Sequence, residues 1–252
     1  VNPEPILAAS DLSKQFGDFQ ALDGVSVELR PGQIHAIIGP NGAGKSTFLN
    51  CATGLLTPSR GEVIFEGRRI TSVAPHLRAR MGLARSFQIT SIFTGLGVGE
   101  NVQLALMAQR GDCRRLFTIA GKRHWSEAVD LLESVGIADM AERPSGELAA
   151  GDRKRLEFAI ALAGKPRVLM LDEPTAGMST SERAIVIEIL RRLASERNIG
   201  VLFTEHDIDM VFDNSDCITV LHQGRLLACG SPHEIRHDNR VQQVYLGEGD
   251  DA

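Results

Sequence analysis

What this chain lacks already narrows its class. Its 252 residues hold four cysteines, Cys51, Cys113, Cys217 and Cys229, widely spaced and without a C-x-x-C pair. That spacing suggests neither a zinc site nor a disulfide framework, and a reducing cytosol suits it. There is no excess of positive charge: the formal net charge is −5, which argues against nucleic acid as a partner. Val1 to Ser10 has neither the basic start nor the long apolar centre of a signal peptide. No later run reaches the roughly 18 apolar residues of a membrane span, so a membrane role would need another chain to do the spanning. Internal repeats and heptad runs are also missing. What is present is 43% hydrophobic content, enough for a well-buried core without covalent staples.

The apolar signals alternate between strand and helix. Ile34 to Ile38 reads as a strand; it runs into a glycine-rich turn, Gly39 to Gly44, and then into helix-compatible Ser46 to Thr53. Val168-Leu169-Met170-Leu171 and Val201-Leu202-Phe203-Thr204 read as buried parallel strands, each delivering polar residues at its end. Between them, Ser181 to Asn198 spaces Ile185, Ile189 and Leu193 by four, the stripe of a helix packed on a sheet. The stretch from about Gly95 to Gly164 has helical spacing and few strand patterns, as in Trp125 to Val135, and reads as a helical insertion. Near the start, Val25 to Leu29 and Glu62 to Phe65 alternate with turns, which predicts an antiparallel flank.

Gly39-Pro40-Asn41-Gly42-Ala43-Gly44-Lys45-Ser46 fits the phosphate-loop pattern G-x-x-x-x-G-K followed by Ser or Thr, in the strand-to-helix context that gives it meaning. Glycines let successive N–H groups turn inward around phosphate oxygens, and the next helix adds the positive end of its dipole. Lys45 is placed for the β and γ phosphates, and Thr47 continues the same nucleotide-binding turn. The Ser46 hydroxyl is placed for Mg²⁺. The loop alone does not choose among GTPases, kinases, helicases and transport ATPases. Asp172, at a strand tip, is the expected holder of Mg²⁺, and Glu173 beside it is the candidate base for the attacking water.

With these motifs in order, the chain resembles the ATP-binding cassette family along essentially its whole length. Phe16, in Leu12-Ser13-Lys14-Gln15-Phe16-Gly17, resembles the aromatic that stacks on adenine. Gln88, in Arg85-Ser86-Phe87-Gln88, resembles the glutamine that joins the Mg²⁺ site to the helical insertion, and His206 the switch histidine. Leu148-Ala149-Ala150-Gly151-Asp152 occupies the signature position before a helix. The resemblance implies an α/β fold: a P-loop NTPase (RecA-like) mixed parallel sheet core with an antiparallel β flank and an inserted helical subdomain. It implies one ATPase domain over 1–252, with residues 1–88 and 165–252 as core and 89–164 as helical signature subdomain. It also implies ATP and Mg²⁺ as ligands, with Glu173, His206 and Gln88 in hydrolysis. Nucleotide contacts would come from Phe16, the loop Gly39 to Thr47, and Ala149, Ala150, Gly151 and Asp152 of a second ATPase subunit arranged head to tail.

The signature departs from the usual LSGGQ. Ala149 replaces a serine hydroxyl, a loss of about 0.5–1.5 kcal/mol of hydrogen bonding, and Asp152 brings a carboxylate towards the triphosphate, with Arg153, Lys154 and Arg155 at hand to offset it. Ser179, closing Ala176-Gly177-Met178-Ser179, stands where the family ends its loop in aspartate. Gly82 to Gln88, the alanine at the signature serine and the ending Val244-Tyr245-Leu246-Gly247 look like ATPase subunits of branched-chain amino-acid importers. That likeness implies transmembrane permeases as partners, a periplasmic binding protein indirectly, and a peripheral place on the cytoplasmic face of the inner membrane. The ATPase of a lipopolysaccharide-type exporter and a soluble cassette ATPase stay open as alternatives.

Overall fold

The computed structural model of the chain describes residues 4–86, 92–111 and 124–246. In it, every residue of three short segments is buried: Ile34–Ile38, Val168–Asp172 and Gly200–Thr204. Strands apolar on both faces have to lie between two layers, and these three are neighbours in one sheet. In chain order the strands are β1 (Leu7–Phe16), β2 (Phe19–Leu29), β3 (Ile34–Ile38), β4 (Arg60–Phe65), β5 (Arg68–Arg69), β6 (Leu83–Ser86), β7 (Val168–Asp172), β8 (Gly200–Thr204), β9 (Cys217–His222) and β10 (Arg225–Gly230). Among the described residues, one sheet runs β10-β9-β3-β8-β7-β6, parallel except that β10 is antiparallel to β9. A second, antiparallel sheet runs β2-β1-β4-β5.

Period-two alternation decides which layer each side chain joins. Ile37, Met170, Leu202 and Leu221 point to a core shared with the antiparallel sheet and with Phe48, Leu49 and Ala52 of helix α1 (Lys45–Thr53). Ala36, Ile38, Leu169, Leu171, Val201 and Phe203 point the other way. They meet Val186, Leu190 and Leu193 of a long helix, Thr180–Arg197, which closes the unit between β7 and β8. One expected member of its stripe is displaced: Ile185 is 45% exposed and Val186 is buried instead, three residues before Ile189 and four before Leu190 on the face that meets the sheet.

The remaining helices follow from the same patterning. α2 (Pro75–Met81) precedes β6. α3 (Val98–Arg110), α4 (Trp125–Ser134) and α5 (Ala150–Ala163) pack on one another through Val102, Leu106, Leu132, Leu156 and Leu162. The long helix is α6; α7 (Ile208–Asn214), α8 (Pro232–Arg236) and α9 (Asn239–Leu246) end the described chain. The connection between α1 and α2 is tied by Arg78, which is 1% exposed. Its guanidinium donates to the carbonyls of Cys51 and Ala52, acceptors in the last turn of α1, and to those of Thr71 and Val73 before α2. Strand pairing also corrects the picture of scattered cysteines, since it brings Cys217 Sγ and Cys229 Sγ to 3.9 Å.

Candidate functional site

The turn between β3 and α1 is shaped by three glycines with φ of 152°, 78° and 101° at Gly39, Gly42 and Gly44. A Cβ at Gly39 would lie 2.2 Å from the Leu221 carbonyl oxygen, so the loop hugs β9 only because that atom is missing. α1 then begins with no side-chain cap, which leaves its leading N–H groups and the positive end of its dipole to an anion. The Lys45 ammonium donates to the Gly39 and Pro40 carbonyls at 2.6 and 3.0 Å. Burial lowers its pKa, and the charges of Glu173 and Asp172 act in the opposite direction. Around the loop is a cleft of about 250 Å³ lined by Asn41 to Thr47 together with Phe19, Ala21, Glu173 and His206.

The two carboxylates arrive from the tip of β7. Asp172 is buried, its Oδ1 accepts from Thr204 Oγ1 at 2.7 Å, and its Oδ2 lies 3.4 Å from Arg85 Nη2. Arg85 also donates to Asn50 Oδ1 and Thr53 Oγ1 of α1, at 2.5 and 3.3 Å. Burial lowers the Arg85 pKa while Asp172 raises it through charge and hydrogen bonding. Glu173 adopts a left-handed φ of 47°, a costly conformation for a residue with a side chain. Its N–H holds the turn by donating to both the carbonyl and the hydroxyl of Thr204, at 3.1 and 3.2 Å. His206, at the end of β8, places Nε2 2.7 Å from Glu173 Oε1; the carboxylate can only accept, so the imidazole donates.

The signature residues sit elsewhere. Ala149 is the N-cap of α5 without a side-chain cap, Ala150 opens the helix, and Gly151 is buried where a Cβ would meet Glu182 Oε1 at 2.8 Å. Asp152 is paired with Arg155, which offsets its charge. None of Ala149 to Asp152 is among the described residues lining the phosphate cleft. Phe16 and Phe19 face each other across the β1–β2 turn, both exposed; Phe19 lines the cleft and Phe16 does not. The Lys14 ammonium lies 5.1 Å from the centre of the Phe16 ring. Ser179 caps α6, its hydroxyl and N–H both engaging Glu182. Gln88 falls outside the described residues.

Three residues at the site were not singled out from sequence. Thr204 ties the Asp172 carboxylate to the backbone N–H of Glu173 through one hydroxyl, and Arg85 links Asp172 to α1. Glu205, 5% exposed, accepts from the Thr175 N–H and hydroxyl at 3.0 and 2.6 Å and from the His206 N–H at 3.2 Å, joining the loop after Glu173 to the tip of β8. The only local signal for Thr204 and Glu205 is their place where an apolar run ends.

A family model described as ABC transporter matches residues 22–176, and one described as branched-chain amino acid ATP-binding cassette transporter matches residues 225–251. The chain is 39% identical over 255 residues to the high-affinity branched-chain amino acid transport ATP-binding protein LivG of Salmonella typhimurium, covering 97% of this chain and 99% of that protein. It is 39% identical over 254 residues to the corresponding protein BraF of Pseudomonas aeruginosa, covering 97% and 98%. Among solved structures it resembles the ADP conformation of MJ1267, an ATP-binding cassette of an ABC transporter, with a TM-score of 0.87 and 30% identity over 96% of this chain and 99% of that one.

Proposed function

We propose that this chain, which belongs to the ABC transporter family of ATP-binding cassettes, is the subunit whose ATP hydrolysis drives uptake of branched-chain amino acids. Hydrolysis of ATP comes with the family; the cargo is read from the likeness to LivG and BraF and from the match over residues 225–251. The observation that carries the motor reading is the cleft in which the phosphate loop, Lys45, Glu173 and His206 face one another. Positive-φ glycines and an uncapped helix start suit a polyphosphate. The Ser46 hydroxyl and the Asp172 carboxylate are the donors that suit Mg²⁺, with Gln88 as a further candidate. The metal would supply charge neutralisation of the phosphates.

In and around that cleft each residue has a defined role. Lys45 leaves the Gly39 and Pro40 carbonyls for the β and γ phosphates. Glu173, oriented by the His206 N–H, accepts the proton of the water that attacks the γ phosphate, and His206 follows the change in charge. Thr204 holds the Asp172 carboxylate against the backbone turn at Glu173. Phe16 is assigned to the adenine ring. The signature residues Ala149 to Asp152 lie outside this cleft, which supports a head-to-tail pair in which they close over the partner subunit's nucleotide.

For the permease contact, the supporting feature is a cleft of about 600 Å³ between α2, β6, α3 and α5, in which Leu55, Ala79, Leu83, Ala105, Ala108, Ile160 and Ala161 are joined by the polar His76, Arg80, Arg85 and Gln109. A trough of that kind accepts a short helix from a membrane-spanning partner. Among the described residues no helix is long and apolar enough to cross a membrane. This fits a peripheral subunit on the cytoplasmic face, served by permeases and, through them, by a periplasmic binding protein. The test is reconstitution of the chain with its permeases and binding protein in vesicles. ATP-dependent leucine uptake that disappears in Glu173→Gln is expected; ATPase activity with no amino-acid uptake, in a complex that extracts lipid instead, would overturn the importer reading.

A further inference from the structure

At the N-terminal end of β3, away from the phosphate loop that follows Ile38, three strands set a second cluster of chemical groups side by side. In the parallel register His35 is the partner of Cys217, and in the antiparallel register Cys229 is the partner of Thr219. Alternation puts His35, Cys217 and Thr219 on one face. The ring nitrogen and the two sulfurs all lie within 4.8 Å of one another, and the sulfurs are 3.9 Å apart. His35 is buried, Cys217 half-buried and Cys229 exposed, so the cluster has a fixed floor and an open mouth.

From this geometry we propose a zinc-class metal site made by His35 Nε2, Cys217 Sγ and Cys229 Sγ. Two thiolates on one tetrahedral zinc, each at about 2.3 Å, stand about 3.8 Å apart, close to the spacing that the strands already impose. A disulfide would instead need the sulfurs at about 2.05 Å. His35 is already oriented as a ligand. Its Nδ1 is 3.0 Å from the Glu28 carbonyl, which can only accept, so Nδ1 carries the proton and Nε2 presents its lone pair. Thr219 Oγ1 lies 2.8 Å from Nε2 and 3.4 Å from Cys229 Sγ; it now fills the space between ligands and rotates aside or takes up a bridging water when the ion enters. Two sulfurs and an imidazole select a thiophilic cation over Mg²⁺ or Ca²⁺. Binding displaces the two thiol protons, and the exposed fourth position is left to water. The consequence is a clip that fastens the edge strand β10 to β9 and β3.

The test uses the purified full chain, chelator-stripped and kept reduced with a phosphine, titrated with Co²⁺ and then Zn²⁺. One equivalent of Co²⁺ should produce thiolate-to-cobalt charge transfer with tetrahedral visible bands, and Zn²⁺ should displace it and raise Tm. Cys229→Ser, at an exposed position, should weaken binding at least tenfold, and the Cys217→Ser, Cys229→Ser double variant should abolish the charge transfer. Lys45→Ala should leave it intact, which separates this site from the nucleotide cleft. No charge transfer in the wild type, the same bands in the double variant, or, in a parallel sample freed of phosphine, loss of two free thiols in air with no metal uptake would each overturn the proposal; the last would identify a redox pair instead.

Discussion

Thr204→Val is the substitution that probes the architecture of the site most finely. The side chain is fully buried and serves two neighbours: its hydroxyl donates to Asp172 Oδ1 at 2.7 Å and accepts from the Glu173 N–H at 3.2 Å. Valine keeps the shape and the β-branched preference for a strand, so the change is confined to hydrogen bonding. A hydrogen bond to a charged acceptor contributes about 1.5–3 kcal/mol. Arg85 remains 3.4 Å from Asp172 and the Thr204 carbonyl remains 3.1 Å from the Glu173 N–H, so neither group is stranded and the lower part of that range applies. About 2 kcal/mol corresponds to roughly thirtyfold in an equilibrium constant. The assay is urea unfolding, with ATPase rate against Mg²⁺ concentration measured in parallel. The expected result is an unfolding free energy lowered by about 2 kcal/mol, with half-saturation by Mg²⁺ shifted by less than that factor because the bond exists before the metal arrives. Unchanged unfolding free energy in the variant would refute the claim that the Thr204 hydroxyl fixes Asp172 against the turn at Glu173.

The other predictions address the adenine side, the loop and the frame beneath it. If Phe16 stacks on the base, Phe16→Ala raises the KM for ATP roughly tenfold with kcat little altered, since a base stack is worth about 1–3 kcal/mol; a raised KM for Phe19→Ala alone transfers the role to its neighbour. Gly39→Ala forces a Cβ towards the Leu221 carbonyl, 2.2 Å away, and should cost about 3 kcal/mol or more in urea unfolding; near-wild-type stability would mean that the loop does not need that close approach. Arg78→Leu removes the guanidinium from the carbonyls of Cys51, Ala52, Thr71 and Val73, of which Cys51 keeps the Gly54 N–H, and should destabilise the chain by about 3 kcal/mol or more, read as a lower Tm.

What could be read from sequence was what depends on neighbours along the chain. The glycines, Lys45 and Ser46 carry a local geometry, and the apolar run ending in Asp172-Glu173 announces a strand tip, so the cleft was legible before any fold. The edges were not. β1 breaks its alternation at Asp11, where φ is 49° and the pairing with β2 and β4 slips register, so no period-two signal marks it. Thr204 and Glu205 act on residues 30 to 32 positions away, through strand neighbours that only the sheet order supplies. Arg85 reads as one more cation until β6 sets it against Asp172 and α1. The pairing of Cys217 with Cys229 depends on β10 turning back along β9, a step that spacing between cysteines does not encode.

The central claim is that amides of one turn, one ammonium and the strand-tip carboxylates form a single site for Mg-ATP. Calorimetric titration of the purified Glu173→Gln chain with Mg-ATP tests it most directly, because the proposed role of Glu173 predicts retained binding without turnover. One nucleotide per chain is expected, with the heat lost in a Lys45→Ala background. No uptake, or the same uptake without Lys45, would contradict the account.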